Sequence, residues 1–414
     1  MRILHTGDWH LSAQGSRIDP ETGLNARLMD FYRCARFSIE EGIRQGAELI
    51  LHAGDAFNGA KPSPTELFLF REAIEPALEA GIPMVLLLGN HDMPRNAAEK
   101  NALDPLRDIT GLTVVDQPCL FDAWQTIRAP GSQINISPSD SADIYADNTI
   151  VQIACLPWPN KQLLLGSEEQ AGLTPAEIEQ LMSEKLLDVA RGLAAQRRPG
   201  VPCVLLAHLS VDLAKSGGQN RLMAYGGEWT INLHDLQSLG FDAVMLGHIH
   251  KPQTLHFDSD AACKWIGYSG SPEACGFGEE GEEKGFFLHD LANESHSFNL
   301  TPYRKHETLD FPNGKPWLPE DVKDAIVRLR IPEAMADQAR ALIAALEVDG
   351  AHEVQIEIIR SETTRRRETG VEAAMSKEEA LRIYLHQRPD IAALEAAVIA
   401  EHRALAGKLE GGAV

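Results

Sequence analysis

Five times in this chain an apolar run of strand length stops abruptly in a histidine, an aspartate or an asparagine. The stretches are HTGDWH (5–10), LHAGDAF (51–57), LLGNHD (87–92), LLAHLS (205–210) and MLGHIH (245–250). A short, unbroken apolar run reads as a strand buried on both faces. In α/β sheets the loops at strand ends converge on a ligand. Five such ends in order predict a sheet core with a polar site gathered along one edge.

The intervening sequence supplies the helices. Strands are expected at Arg2–Thr6, Leu49–Ala53, Met84–Leu88, Thr113–Val115, Ile150–Cys155, Val204–Ala207 and Ala243–Leu246, and helices at about 22–45, 64–80, 97–108 and 175–195. Ser63-Pro64-Thr65-Glu66 and Thr174-Pro175-Ala176-Glu177 each combine a capping hydroxyl, a proline at the first helical position and a glutamate two residues later. This alternation predicts a layered α/β domain over residues 1–300. Residues 281–304 read as a hairpin. A small α/β cap is expected at 301–360, with two alternating strands (Val327–Ile331 and Val354–Ile358) around a helix. RSETTRRRETG (360–370) reads as a linker. Two short helices are expected over 371–414, the first opened by Ser376-Lys377-Glu378-Glu379 and broken at Pro389-Asp390.

The chain has 414 residues, too many for one ordinary core. Its apolar runs are too short to cross a membrane, and the first residues carry no secretory pattern. Six cysteines without a CxxC pair read as reduced thiols, which points to the cytoplasm. The net charge is −22, and because residues 360–414 balance, residues 1–359 carry the deficit. An acidic surface disfavours unaided binding to nucleic acid.

The five strand ends offer Asp8, His10, Asp55, Asn90, His91, Asp92, His208, His248 and His250. Mixed imidazole and carboxylate donors suit manganese, iron or zinc, whereas magnesium prefers oxygen ligands. Two ions need a shared anion, and Asp55 on the central strand is the candidate bridge. Asp8, His10 and His250 would complete one ion, and Asn90, His208 and His248 the other. His91 is left over to protonate a leaving oxygen, with Asp92 to orient it. His5 and His52 lie within strands and read as packing histidines. Leu67, Phe68, Phe70, Ile74, Leu103 and Leu106 read as core, and GFGEEGEEKGF (276–286) as a solvated acidic turn.

The ordered set Gly7-Asp8-x-His10, Gly54-Asp55, Gly89-Asn90-His91-Asp92, His208 and Gly247-His248-Ile249-His250 resembles the calcineurin-like metallophosphoesterases. LHTGDWHL (4–11), LLAHLSV (205–211) and YSGSPEACGFGEEGEEKGF (268–286) resemble the SbcD-type nuclease subunits of bacteria and phage. The resemblance implies a layered β-sandwich flanked by helices. It also implies a manganese-dependent DNA exonuclease and endonuclease of double-strand-break repair, working with an SbcC-like coiled-coil ATPase. In that family the C-terminal helices dock on the ATPase; here these carry Leu381, Tyr384, Leu385, Ile391, Leu394, Val398 and Leu405. Dimerisation through helices 64–80 and 97–108 is implied likewise. The chain departs from many relatives at Asn58, which stands where they carry a histidine near the scissile phosphate; an amide can donate a hydrogen bond but not be cationic. A small-molecule phosphodiesterase or phosphatase of the same fold, and a non-catalytic scaffold subunit, are the rival readings.

Overall fold

The computed structural model describes residues 1–94, 96, 99–128, 131–139, 148–166, 172–215, 229–255, 263–312, 317–360, 377–386 and 394–410. The chain divides into two compact units, one of residues 1–309, 315–329 and 343–355, the other of 310–314, 330–342 and 356–414.

The first unit is built on two sheets. Strands β1 (Arg2–Thr6), β2 (Leu49–His52), β3 (Met84–Leu87) and β4 (Leu112–Val115) run parallel, and β14 (Gly285–Asp290) and β15 (Ser295–Leu300) extend them antiparallel, in the order β15-β14-β1-β2-β3-β4. The second sheet comprises β5 (Cys119–Arg128), β6 (Gly131–Pro138), β7 (Thr149–Leu156), β8 (Cys203–His208), β11 (Ala243–Gly247), β12 (Gln253–Thr254) and β13 (Trp265–Tyr268), in the order β12-β13-β11-β8-β7-β5-β6. Two short strands, β9 (Ser210–Val211) and β10 (Thr230–Ile231), pair in parallel just past β8. The predicted hairpin is β14 with β15.

Alternation along the strands sorts the side chains into layers. Ile3, Leu49, Leu51, Val85 and Leu87 meet Ile153, Val204, Leu206 and Met245 of the other sheet in one shared core. The opposite set, Leu4, Ile50, Met84 and Leu86, packs under α1 (Ala26–Arg44) and α2 (Pro64–Glu79) through Phe31, Ile39, Phe70 and Ile74. On the outer face of the second sheet, Leu205, Val244 and Ile266 pack against Met182, Leu186 and Ala190 of the helix Pro175–Ala195. With both faces covered, the central strands read as unbroken apolar runs. The architecture is the predicted β-sandwich flanked by helices.

Three expectations need correction. No helix forms over the described part of 97–108; a single 3₁₀ turn, Asp104–Leu106, stands there. Pro105 lacks an N–H and disfavours helix at the residue before it. The Asn101 side chain takes the Leu103 N–H and Asp104 takes that of Asn101, so side chains displace the helical ladder. Phe68, assigned to the core, is 59% exposed. Strands β5, β6, β9, β10, β12 and β13 have no counterpart among the predicted strands.

Strands β16 (His306–Asp310), β17 (Ile326–Pro332) and β18 (Glu353–Ile359) form a three-stranded sheet, and the helix Ala339–Val348 lies between the last two in sequence. In the second unit, helices Lys377–His386 and Glu395–Glu410 are tied by Arg382 to Glu395 and by Arg403 to Glu378. Leu385 and Ile399 are buried, Leu381 and Val398 half-buried, and Tyr384 and Leu394 exposed. Residues 361–370 of the linker, Ser376, Pro389-Asp390 and Ile391 lie outside the described residues.

Candidate metal centre

Parallel register brings the strand ends to one level. Thr6 pairs with His52 and His52 with Leu86, so Asp8, Asp55 and Asn90 leave the first sheet side by side. Gly247 pairs with His208 at the matching edge of the second sheet. Each predicted ion then draws on both sheets. Asp8, His10 and His250 place ligand atoms within 4.8 Å of one another, as do Asp8, Asp55 and His208. The Asn90 Oδ1 lies 2.9 Å from His208 Nε2 and 3.0 Å from His248 Nδ1.

Asp55 stands between the two sets. Its Oδ2 is 3.6 Å from His10 Nε2 and 3.5 Å from His208 Nε2, while Oδ1 accepts the His91 backbone N–H at 2.8 Å. A Cβ at Gly89 would lie 2.0 Å from Asp55 Oδ1, so the Gly-Asn turn is required for the carboxylate to sit there. Of the seven described non-glycine residues with positive φ, four are Asp8, His10, Asp55 and His248. Such conformations cost energy and persist where the surroundings enforce them.

The electrostatics fit a cation. Burial opposes ionisation of Asp55, but the neighbouring His208, His10 and His91 together hold the carboxyl well below its usual range. Burial lowers His208, yet Asp55 and Asp8 lift it to about 9. His10 is buried, and neither of its ring nitrogens has a hydrogen-bond partner. Buried polar atoms without partners are costly, and a metal ion would satisfy them. The donor set of imidazoles, carboxylates and one amide therefore suits two borderline divalent ions.

His91 lies at the edge of the cluster, its ring 4.7 Å from that of His10 and its surface exposed. It borders a cavity of about 700 Å³ lined also by Asn90, Lys61 and Glu99. Its Nδ1 faces the backbone carbonyl of Asn58 at 3.4 Å. The Asn58 side chain is exposed. Asp92 does not reach His91. Its buried carboxylate accepts the N–H groups of Ala56, Phe57 and Gly89, tying the β2 loop to the β3 loop. Burial, with Asp55 nearby, pushes it up to about 7. The contact expected between Asp92 and His91 is therefore not among the described hydrogen bonds, because the buried carboxylate is drawn to the backbone donors around it.

His5 bonds the Leu246 carbonyl at 3.2 Å, and His52 packs against Trp9; burial lowers both imidazoles to about 3. Two contributors were missed. Trp158, in CLPWPN after β7, packs its ring 5.0 Å from that of His248 and 5.9 Å from that of His208. GFGEEGEEKGF is not a solvated turn throughout: Glu279 and Lys284 are buried, and Glu279 Oε1 lies 2.6 Å from His250 Nδ1. A strand-end tryptophan beside the other motifs was an available signal; burial of two charges inside an acidic run was not.

All six cysteines are free. No helix among the described residues is long and apolar enough to cross a membrane.

Comparison with known proteins places this geometry. The chain is 28% identical over 358 residues to the SbcD component of the SbcCD nuclease of Rhodobacter capsulatus, covering 84% of this chain and 81% of that protein. It is 26% identical over 297 residues to the corresponding SbcD component of Bacillus subtilis, covering 70% and 66%. A purple acid phosphatase from yellow lupin seeds aligns at 12% identity and a TM-score of 0.37, over 72% of this chain and 52% of that one. The model of the calcineurin-like phosphoesterases matches residues 1–252, more than half of the chain, and with the strand-end ligand set at its expected edge, this chain belongs to that family.

Proposed function

We propose that this chain is a dimetal phosphodiesterase that hydrolyses DNA, the nuclease component of a DNA-end-processing complex. The observation that carries the dimetal reading is the Asp55 carboxylate, with one oxygen about equally far from His10 of one ligand set and His208 of the other. Asp8, His10, Asp55 and His250 would hold one ion and Asp55, Asn90, His208 and His248 the second. Manganese is the first candidate, ahead of iron, zinc and magnesium. Two such ions would supply an activated water and share the charge on the non-bridging phosphate oxygens.

The remaining work falls to the protein. The Asn58 carbonyl can hold His91 Nδ1–H, leaving Nε2 to meet the departing sugar oxygen. Asp92 keeps the loops of Asp55 and Asn90 together. Trp158 restrains the rings of His248 and His208. The choice of DNA as substrate and of an SbcC-like ATPase as partner is supported by the relatives' names as SbcCD nuclease components; docking of that partner on the helices after residue 371 is part of the proposal and rests on the resemblance of the sequence alone. A cytoplasmic repair role belongs to the same proposal, as does the division into a nuclease domain (1–300), a cap (301–360) and docking helices. A homodimer is proposed through α2, where Phe68 is exposed.

The test is cleavage of linear double-stranded DNA and of a small chromogenic phosphodiester, with manganese, magnesium or EDTA, by the wild type and Asp55→Ala. Manganese-dependent DNA cleavage that the variant loses is the expected result. Cleavage of the small ester alone, unchanged when the ATPase is added, would move the substrate away from DNA.

A further inference from the structure

The segment 276–286 reads as a solvated acidic turn in sequence, yet it delivers a buried ion pair to the metal centre. Glu279 and Lys284 are 5% and 0% exposed. Glu279 Oε1 lies 2.6 Å from His250 Nδ1, and its Oε2 lies 2.7 Å from Lys284 Nζ and accepts the Cys275 N–H at 2.9 Å. Lys284 Nζ also donates to the His250 carbonyl at 3.1 Å and reaches Glu282 at 3.4 Å. One lysine therefore fixes both the backbone of His250 and the carboxylate that grips its ring.

Charged pairs are expensive to bury and need further hydrogen bonds to offset that cost. Here nearly every polar atom of the pair is spent on His250 or its neighbours. His250, Cys275 and Glu279 are close enough to resemble a further metal group. The Lys284 ammonium already occupies the Glu279 carboxylate, however, and a dication beside it would be repelled. The cluster is therefore a support for His250 and not an ion site.

We propose that Glu279 and Lys284 form a positioning pair that commits His250 Nδ1–H to the carboxylate, so that Nε2 is presented to the ion shared with Asp8 and His10. This rests on the dimetal reading above and deepens it. Its consequence is asymmetry. The Asp8–His10–His250 ion depends on the pair, whereas the ion of Asn90, His208 and His248 does not, because no described contact of the pair reaches those three residues. A carboxylate behind a ligating imidazole fixes the tautomer and raises its basicity, and its removal costs about 10- to 100-fold in metal affinity.

Manganese titration of the full chain by calorimetry, with bound metal counted by mass spectrometry, tests this. The wild type is expected to take two ions. Glu279→Gln should keep one at wild-type affinity and bind the other about 10- to 100-fold more weakly. Its spectrum at one equivalent should be that of isolated manganese rather than a coupled pair. Glu279→Gln leaves Lys284 unpaired and can fail to fold, so the double variant Glu279→Gln/Lys284→Met, which removes both charges, must show the same selective loss. A merely structural role would lower thermal stability without separating the two ions. Equal weakening of both ions, or wild-type affinity for both in either folded variant, overturns the proposal. A wild type that binds fewer than two ions instead overturns the dimetal reading beneath it, so the two failures are told apart.

Discussion

His91 and Asp92 are neighbours with opposite fates. His91 is exposed at the cavity edge, and Asp92 is sealed beneath it. In the proposed mechanism this difference assigns proton handling to His91 and loop support to Asp92. His91→Ala is expected to keep both metal ions while kcat falls by about 10²- to 10⁴-fold, the usual worth of a general acid. Metal counting alongside kinetics checks it, and loss of an ion with the rate would make His91 a ligand. Asp92→Asn should instead cost about 1–3 kcal/mol of stability, because an amide turns a donor toward backbone N–H groups that need acceptors. Its pH–rate profile should keep the wild-type shape. A profile that loses the same limb as His91→Ala would return Asp92 to the proton-transfer machinery.

Among the elements, the decisive feature is how closely the ends of two strands from different sheets approach. A Cβ on Gly247, at the end of β11, would lie 2.3 Å from the carbonyl oxygen of Ala53, just past β2. That contact lets His248 and His250 reach Asp8, His10 and Asn90 across the gap. Gly247→Ala should push the two ends apart, at about 1–3 kcal/mol for overpacking, and leave fewer than two ions bound. A thermal melt with metal analysis decides the matter; full metal content at wild-type stability would show that the gap tolerates a methyl group. The same scale explains the failed helix at 97–108. Its apolar residues, Leu103 and Leu106, are buried as expected, but Pro105 and the Asn101 and Asp104 side chains take the backbone out of the helical ladder. Burial was readable from composition there, and backbone conformation was not.

Across the whole molecule, the −22 charge sets the problem of how a polyanion is met. The proposed answer is that a partner supplies the attraction and that the C-terminal helices recruit it. Tyr384 and Leu394 are exposed there while Leu385 and Ile399 are buried, so part of the apolar surface is spent within the unit and part is left outward. Deleting residues from 371 onward should abolish co-purification with the ATPase and leave metal content and small-ester hydrolysis unchanged; a truncated chain that still pulls down the ATPase would refute docking through these helices. The strands that end in the candidate ligands, the flanking helices α1, α2 and Pro175–Ala195, and the ligand candidates themselves were legible in sequence, whereas strands such as β5, β6 and β13 were not. Apolar periodicity and strand-end polarity are local properties, and the chain encodes them directly. The partners of Asp92, the grip of Glu279 and Lys284 on His250, the packing of Trp158 and the contact of Ala53 with Gly247 were not legible. Most of these contacts join residues tens to hundreds of positions apart, and their distances follow from how the chain packs in three dimensions, which no local pattern records.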